Sequence, residues 1–251
     1  MNPPLVSIIT PTFNRARYLP LLHRCVMAQD LQDFEWLIDD DSPSPSSYMQ
    51  GLTDKRISYA HVTARRAIGT KRNALIERAR GRIIAQFDDD DYYSSSYLAR
   101  MVRIMRESGA AFVKLYGFFL YSKSLRMCGY WDLLQRTGRH MVFSKEPFSV
   151  VMLDEGNNAS LREVHLGFGF SYVFEKAVWE HARFPDIDWN EDRPFAKQAM
   201  ERFPLVGVQD EACTCIHVLH ESSTSWCFPQ YLLPRFLFDR LFPESKEHME
   251  P

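Results

Sequence analysis

Arg82-Ile83-Ile84-Ala85-Gln86-Phe87-Asp88-Asp89-Asp90-Asp91 is the stretch that decides the fold. Its first part is a short apolar run, the pattern of a buried strand. Its second part is a row of adjacent carboxylates. Like charges at this spacing repel, and a divalent cation is the usual way to offset that cost. At the carboxyl end of a strand in an α/β sheet, such a cluster lies where ligands bind. A hard cation held by one or two carboxylates commonly accompanies a diphosphate. Side chains alternate along the chain, so Asp88 and Asp90 are the pair expected to share a ligand. The plain alternative is a solvated acidic turn capping the next helix. A run of this length behind an apolar strand is more than a cap needs.

The residues to either side repeat a strand–helix alternation. Residues 6–10 read as a strand stopped by Pro11, and residues 18–28 as a helix with Leu19, Leu22 and Val26 on one face. Residues 35–38 form a second strand that runs into Asp39-Asp40-Asp41, followed by a Ser/Pro loop over 42–47. Residues 57–62 are a third strand, 69–79 a helix closed by Gly81, 83–87 the fourth strand, and 97–107 a helix that Ser95 or Ser96 can cap. This alternation calls for an α/β fold, a Rossmann-like, mostly parallel central sheet flanked by helices. Right-handed crossovers put the strand ends on one rim. That rim gathers Thr10 to Arg15, the second-strand aspartates and the Asp88 cluster.

Beyond Ser108 the pattern loosens. Residues 110–120 read as one or two strands, and 121–158 as loops and irregular sheet. A strand over 169–174, helices over 175–182 and 191–201, and strands over 205–208 and 213–219 follow. No repeat or linker interrupts the chain. The expectation is one domain over 1–251: a regular α/β half to about 108, a smaller elaboration over 109–227, and an aromatic extension over 228–251.

Composition narrows the function. The chain has 251 residues, 45% hydrophobic and 25% charged, which suits a globular core. A net charge of −2 argues against non-specific nucleic-acid binding, which needs a basic surface. Met1-Asn2-Pro3-Pro4 has no charged n-region or apolar stretch of a leader, and no segment has transmembrane length. The five cysteines are scattered, without zinc-site spacing, and read as reduced thiols of a cytoplasmic protein.

Other constellations complete the candidate site. A carboxylate of Asp39 or Asp40 can accept from a base N–H or a ribose hydroxyl, although Asp/Ser/Pro turns are also common without a ligand. Lys71-Arg72-Asn73 stands near a helix start, where amides and cations can meet a diphosphate or simply form a solvated basic face. Glu191-Asp192 opens a helix, a favourable place for acidic side chains and also for a general base. His217 and His220 stand together in residues 215–225; a lone His is usually structural, but His220 ends an apolar strand at a Ser/Thr loop, which suits a metal ligand or phosphate contact.

Taken in order, these segments resemble the inverting family 2 glycosyltransferases with the GT-A fold. Residues 6–15 with Tyr18-Leu19 resemble the first strand and nucleotide loop of that family. Residues 35–42 resemble its acidic second-strand motif, with Asp41 where Gly or Asn is usual. Lys71-Arg72-Asn73-Ala74 fits its basic helix start. Residues 87–93 fit its Asp-x-Asp motif, with Ser95-Ser96 in place of the usual Pro-Asp. Glu191-Asp192 resembles its Glu-Asp pair, and residues 220–225 a late His loop.

The resemblance implies inverting transfer of a sugar from a nucleotide-diphosphate donor, a UDP-sugar by analogy, to a hydroxyl of a saccharide or glycoconjugate in surface polysaccharide or glycan synthesis. It implies Asp192 as catalytic base. It implies nucleotide contacts from Pro11, Thr12, Phe13, Asn14, Arg15, Asp39, Asp40, Lys71, Arg72, Asn73, Asp88 and Asp89. It implies a Mn²⁺ or Mg²⁺ ion on Asp90, Asp88 and His220.

The rival enzyme is a sugar-phosphate nucleotidyltransferase, which normally holds a triphosphate in a Gly-rich loop; residues 10–18 contain no glycine. The rival from another class is a non-catalytic sugar-nucleotide-binding module. On the acceptor side, residues 121–166 offer Tyr130, Trp131 and His140 as sugar contacts by position. Residues 228–242 read as one or two helices packed on the core, or as a peripheral membrane contact.

Overall fold

Every residue of the strand Val6–Thr12 (β1) is buried, because it runs up the middle of the sheet between two parallel neighbours. The computed structural model describes residues 3–143, 148–223 and 225–250. Met1, Asn2, Thr224 of the His loop and Pro251 lie outside them, as do residues 144–147 of the expected acceptor region.

The first half follows the expected alternation: β1, helix α1 (Leu19–Met27), β2 (Phe34–Asp40), the short α2 (Ser47–Gln50), β3 (Ile57–His61), α3 (Ile68–Arg78), β4 (Ile83–Gln86), the two-residue β5 (Tyr92–Tyr93) and α4 (Tyr97–Ser108). β4, β1, β2 and β3 lie side by side and parallel, so their carboxyl ends share one rim. This is the expected α/β fold with a mostly parallel central sheet. Ile8, Trp36, Ile38 and Ala85 face α1 and α4, whereas Ile9, Leu37 and Ile84 face α3. Both faces are covered, which explains why these strands read as continuous apolar runs.

Pro11 does not stop β1. The β4 ladder ends at Ile9↔Gln86, with Phe87 N donating to the Ile9 carbonyl. Pro11 points the same way two residues later, past the end of that ladder, where no N–H is required. The strand continues on its β2 side to Thr12↔Asp40. Nor do Ser95 and Ser96 cap α4: Ser96 takes the N-cap position in helical conformation, without a side-chain cap bond.

The second half is built on β6 (Phe112–Ser122), an 11-residue strand. β7 (Met127–Asp132) returns beside it, and β8 (Gly138–Val142) pairs with β9 (Ser149–Leu153) as a separate hairpin. The expected strand over 169–174 is a three-ten turn followed by β10 (Val173–Glu175), which is antiparallel to both β4 and β6 and so joins the halves. Then come α5 (Lys176–His181), α6 (Asp192–Ala199), β11 (Leu205–Gln209) and β12 (Cys215–Leu219), both of which pair parallel with β6. β12 also pairs with β5, which draws the end of β12 next to the aspartate run.

The C-terminal segment is β13 (Tyr231–Leu233), α7 (Arg235–Leu241) and α8 (Lys246–Met249). Phe238 and Phe242 pack on the core, while Tyr231, Leu232 and Phe236 stay exposed. No helix among the described residues is long and apolar enough to cross a membrane. All five cysteines are free thiols.

Candidate active site

The aspartate run does not act as one cluster, because each carboxylate is drawn to a different element. Asp88 pairs with Arg72 of α3 at 3.2 Å. Asp90 Oδ2 accepts from Arg15 Nη1 at 3.0 Å and from His220 Nε2 at 2.8 Å. Asp91 turns inward, accepting from His217 Nδ1 at 3.0 Å and from the Val218 amide at 2.8 Å. Asp89 is buried and has no ion-pair partner among the described residues. Burial, followed by the charge of Asp90, pushes its carboxyl well above the usual range. Asp89 is thus the one carboxylate of the run whose ionised form needs a further positive charge beside it.

Two cavities open on the rim. The first, of about 450 Å³, is lined by Pro11, Phe13, Asn14, Arg15, Lys71 and Asp88 to Asp90, among others. The second, of about 610 Å³, contains Arg72, Asp192, Arg193 and a set of aromatic side chains. Asp88 and His217 line both, so the cavities meet beside the aspartate run. His220 closes the rim from the far side, with its ring stacked on Tyr18 at 4.9 Å.

The nucleotide candidates fall into three groups. Pro11, Phe13, Asn14, Arg15, Lys71, Asp88 and Asp89 face the smaller cavity. Asn14 takes a left-handed φ of 56°, and its amide donates to Ser42 Oγ, which ties the loop after β1 to the loop after β2. Thr12, Asp39, Asp40 and Arg72 stand behind that cavity. The Thr12 carbonyl receives Lys71 Nζ at 2.9 Å, Asp39 pairs with Arg66, and Asp40 accepts from Ser42 and from Tyr59 at 2.6 Å. Burial, outweighing Arg66, raises the Asp39 carboxyl. Arg72 is fully buried among Glu191, Gln86 and Asp88. Asn73 is the exception. It faces away from the rim, holding the Phe184 carbonyl and amide and the Trp179 indole N–H.

Asp192 occupies the larger cavity. Its Oδ2 accepts from the Gly169 amide and its Oδ1 from the Arg193 amide, both at 2.8 Å. A Cβ at Gly169 would press on Asp192 Cβ and Gln86 Oε1, each at 3.1 Å, so glycine is needed for this close approach. Neighbouring Glu191 faces the other way, onto Arg72 Nε at 3.0 Å. Burial raises its carboxyl despite that partner.

Some of the site is not evident in the sequence motifs. Lys114, near the start of β6, is fully buried, and its Nζ donates to the His165 and Gly167 carbonyls. Burial pushes its ammonium down to about 7, with Asp192 acting in the opposite sense. A lone lysine in an apolar strand was the available signal. Burial alone would lower His217, but the Asp91 carboxylate outweighs it and holds the imidazole well above its usual range. Arg65 stacks over Phe13 at 4.2 Å and reaches Asp41 at 2.9 Å.

Of the expected acceptor contacts in the middle of the chain, Trp131 lines the larger cavity with its edge, as do Leu161 and Val164, whereas Tyr130 and His140 do not. Trp131 is buried against Phe118, Phe168 and Phe228, and His140 is buried against the Gly138 and Gln135 carbonyls. Tyr130 packs on Phe119 and binds Gln209.

A mixed α/β fold with a mostly parallel central sheet and its ligand rim at the strand ends is the architecture of the GT-A glycosyltransferases. The chain belongs to glycosyl transferase family 2, whose model matches residues 7–162. It is similar to the putative teichuronic acid biosynthesis glycosyltransferase TuaG of Bacillus subtilis (strain 168), 30% identical over 113 residues, or 43% of this chain and 45% of TuaG. It thus matches less than half of that relative's length. Its fold is similar to S. aureus TarS 1-349 in complex with UDP-GlcNAc, with a TM-score of 0.64, 17% identity, and coverage of 89% of this chain and 60% of that one. It is also similar to the mannosyltransferase PcManGT from Pyrobaculum calidifontis in complex with GDP-Man and Mn²⁺, with a TM-score of 0.58, 18% identity, and coverage of 86% and 57%.

Proposed function

We propose that this chain transfers a sugar, with inversion, from a UDP-sugar to a hydroxyl of a saccharide or glycoconjugate acceptor in polysaccharide synthesis. The observation that carries the reading is the meeting of the two cavities beside Asp88, with Asp90 in one and Asp192 in the other. The smaller cavity takes the nucleotide diphosphate. Phe13 and Arg65 offer it a stacking surface, and Lys71 and Arg15 supply positive charge. The larger cavity takes the acceptor. The relative's role in teichuronic acid synthesis and the UDP-GlcNAc complex of the structural neighbour support the substrate classes.

A divalent metal fits the donor side. Among the described residues no three His, Cys, Asp or Glu side chains converge as a ready-made cage. A cation bound by one or two carboxylates plus substrate phosphates needs none. Asp90 and His220 bring O and N donors together, Asp88 adds a carboxylate, and the uncompensated Asp89 favours added positive charge. The Ser222 amide donates to His220 Nδ1 at 3.2 Å, which turns Nε2 toward Asp90, where a bound cation would take the place of the Nε2 proton. When bound, Mn²⁺ or Mg²⁺ supplies Lewis-acid stabilisation of charge developing on the diphosphate.

Asp192 performs the proton transfer. Two backbone amides fix its carboxylate in the cavity, and its remaining lone pairs accept the acceptor hydroxyl proton. As that oxygen bonds to the anomeric carbon, the bond from the carbon to the diphosphate oxygen breaks, and the electron pair leaves with UDP. Attack from the face opposite the leaving group inverts the anomeric centre. Exposed Tyr231, Leu232 and Phe236 support a peripheral membrane contact through residues 228–242 within the same reading.

The test is incubation with a panel of UDP-sugars, Mn²⁺ and saccharide or polyprenyl-diphosphate-linked acceptors. Release of UDP with a new glycosidic bond of inverted configuration is expected. Pyrophosphate release from UTP and a sugar phosphate would instead establish the nucleotidyltransferase reading.

A further inference from the structure

Two tryptophans at the larger cavity stand out against the burial of the other three. Trp189 is 67% exposed and Trp226 is 62% exposed, whereas Trp36, Trp131 and Trp179 are buried. Both exposed indoles line the cavity that holds Asp192. Exposing a large flat apolar side chain in water gives up burial energy, so a pair at one cavity calls for a partner.

Trp189 is held in place by its loop. The Asp188 carboxylate accepts from Arg65 Nη2 at 3.0 Å and from the Ile68 amide at 3.1 Å, and the Gly69 amide donates to the Ile187 carbonyl at 3.3 Å. Gly69 permits this contact, since a Cβ there would collide with the Pro185 carbonyl. One residue on, Asn190 adopts a left-handed φ of 62°, a conformation asparagine tolerates better than most residues. The turn leaves Trp189 exposed while Glu191 and Asp192 enter the cavity walls. The loop is thus braced on the donor half, and Trp189 is preorganised beside Asp192.

Arg193 supplies the polar half of the argument. Its half-buried guanidinium lines the same cavity and makes no ion pair or side-chain hydrogen bond among the described residues. A lipid tail would leave that donor unsatisfied, whereas a sugar hydroxyl or ring oxygen would satisfy it. A pyranose offers both requirements at once: an apolar face of C–H groups for an indole and polar groups around its edge.

We infer that Trp189 and Trp226 form the platform on which a pyranose ring of the acceptor stacks, with Arg193 donating to its polar edge. The inference rests on the proposed transfer to a saccharide and names the residues that select it. It adds the segments flanking α6 and following β12 to the middle-chain residues that line the cavity.

The test uses the full chain with methyl glycosides of glucose, galactose, N-acetylglucosamine and N-acetylgalactosamine as probes. Saturation-transfer NMR reads binding, UDP affinity is measured in parallel, and phosphatidylglycerol vesicles are sedimented with each variant. Wild type should bind at least one glycoside. Trp189→Ala and Trp226→Ala should each weaken that binding about tenfold, in the range of buried aromatic anchors. Phe replacements should restore part of it, and UDP affinity should stay within about twofold of wild type on the same scale. Retained glycoside binding in both Ala variants, or no glycoside binding by wild type that binds UDP, overturns this inference alone. Loss of vesicle binding with glycoside binding intact makes the tryptophans membrane anchors and likewise overturns it. A wild type that binds no UDP overturns the donor reading beneath it.

Discussion

Asp90 and His220, 130 residues apart in the chain, meet at 2.8 Å. The pairing depends on β12, which pairs at once with β5 and β6 and so delivers the histidine just beyond its end to the aspartate run. Tyr18 backs the imidazole, and Arg15 shares the same carboxylate oxygen. His220→Ala should therefore reduce Mn²⁺-dependent UDP affinity about tenfold, in the range seen when groups supporting a metal are removed. UDP affinity without Mn²⁺ should change little. Isothermal titration with and without the metal checks this, and equal losses under both conditions would exclude a metal role for His220.

Asp192→Asn should lower kcat by about 10²–10⁴-fold, the usual contribution of a general base. The amide keeps the volume and one acceptor oxygen toward the Gly169 amide, so folding and UDP affinity should persist. Single-turnover transfer and UDP binding, measured on the same preparation, separate the two. Turnover near the wild-type rate would remove Asp192 from the mechanism.

Lys114→Met should damage catalysis through position. Lys114 Nζ holds the His165 and Gly167 carbonyls, and the next turn carries the Gly169 amide that fixes Asp192. Each buried carbonyl left without a donor costs about 1–3 kcal/mol, so the melting temperature should fall. In the folded variant kcat should drop at least about tenfold, a 1.4 kcal/mol loss at the transition state, while UDP affinity holds. An unchanged kcat would show that the turn keeps Asp192 in place without Lys114.

His248 makes C-terminal docking sensitive to acid. It is buried beside Cys25 and the Tyr92 ring, and burial, with Arg24 and Lys123 nearby, pushes its imidazole down to about 4. The unfolded value is about 6.5, so between these values the undocked state binds more protons and stability rises with pH. Acidification from about pH 6.5 toward 4 should cost up to about 3 kcal/mol, at 1.36 kcal/mol per pKa unit, and release α8 first. Hydrogen exchange of residues 245–250 across this range checks it. His248→Phe should remove the acid sensitivity, and an identical pH response in that variant would place the cause elsewhere.

The first half was legible because its strands are short, apolar and buried on both faces, and because each ends in a distinctive polar segment. Pro11 misled only through the assumption that a strand needs hydrogen bonds on both sides along its whole length. The acceptor side was less legible. His140 looks like a ligand contact in a linear reading, yet β8 turns it inward, and Trp131 reaches the larger cavity only with the edge of a buried ring. Asn73 lies in a basic motif, but its helical position directs it to Phe184 and Trp179. The Asp91–His217 pair and the Lys114 contact depend on strand pairings far apart in sequence, and no local pattern specifies those.

The central claim is a nucleotide-diphosphate site that depends on Asp90. The most direct measurement is a thermal-shift titration of UDP, GDP, CDP and TDP, each with and without Mn²⁺, on wild type and Asp90→Ala. The account predicts stabilisation by UDP that requires both Mn²⁺ and Asp90, since a ligand at 100 times its Kd adds about 2.7 kcal/mol to the folded state. No metal-dependent shift with any of the nucleotides, or an equal shift in Asp90→Ala, would contradict it.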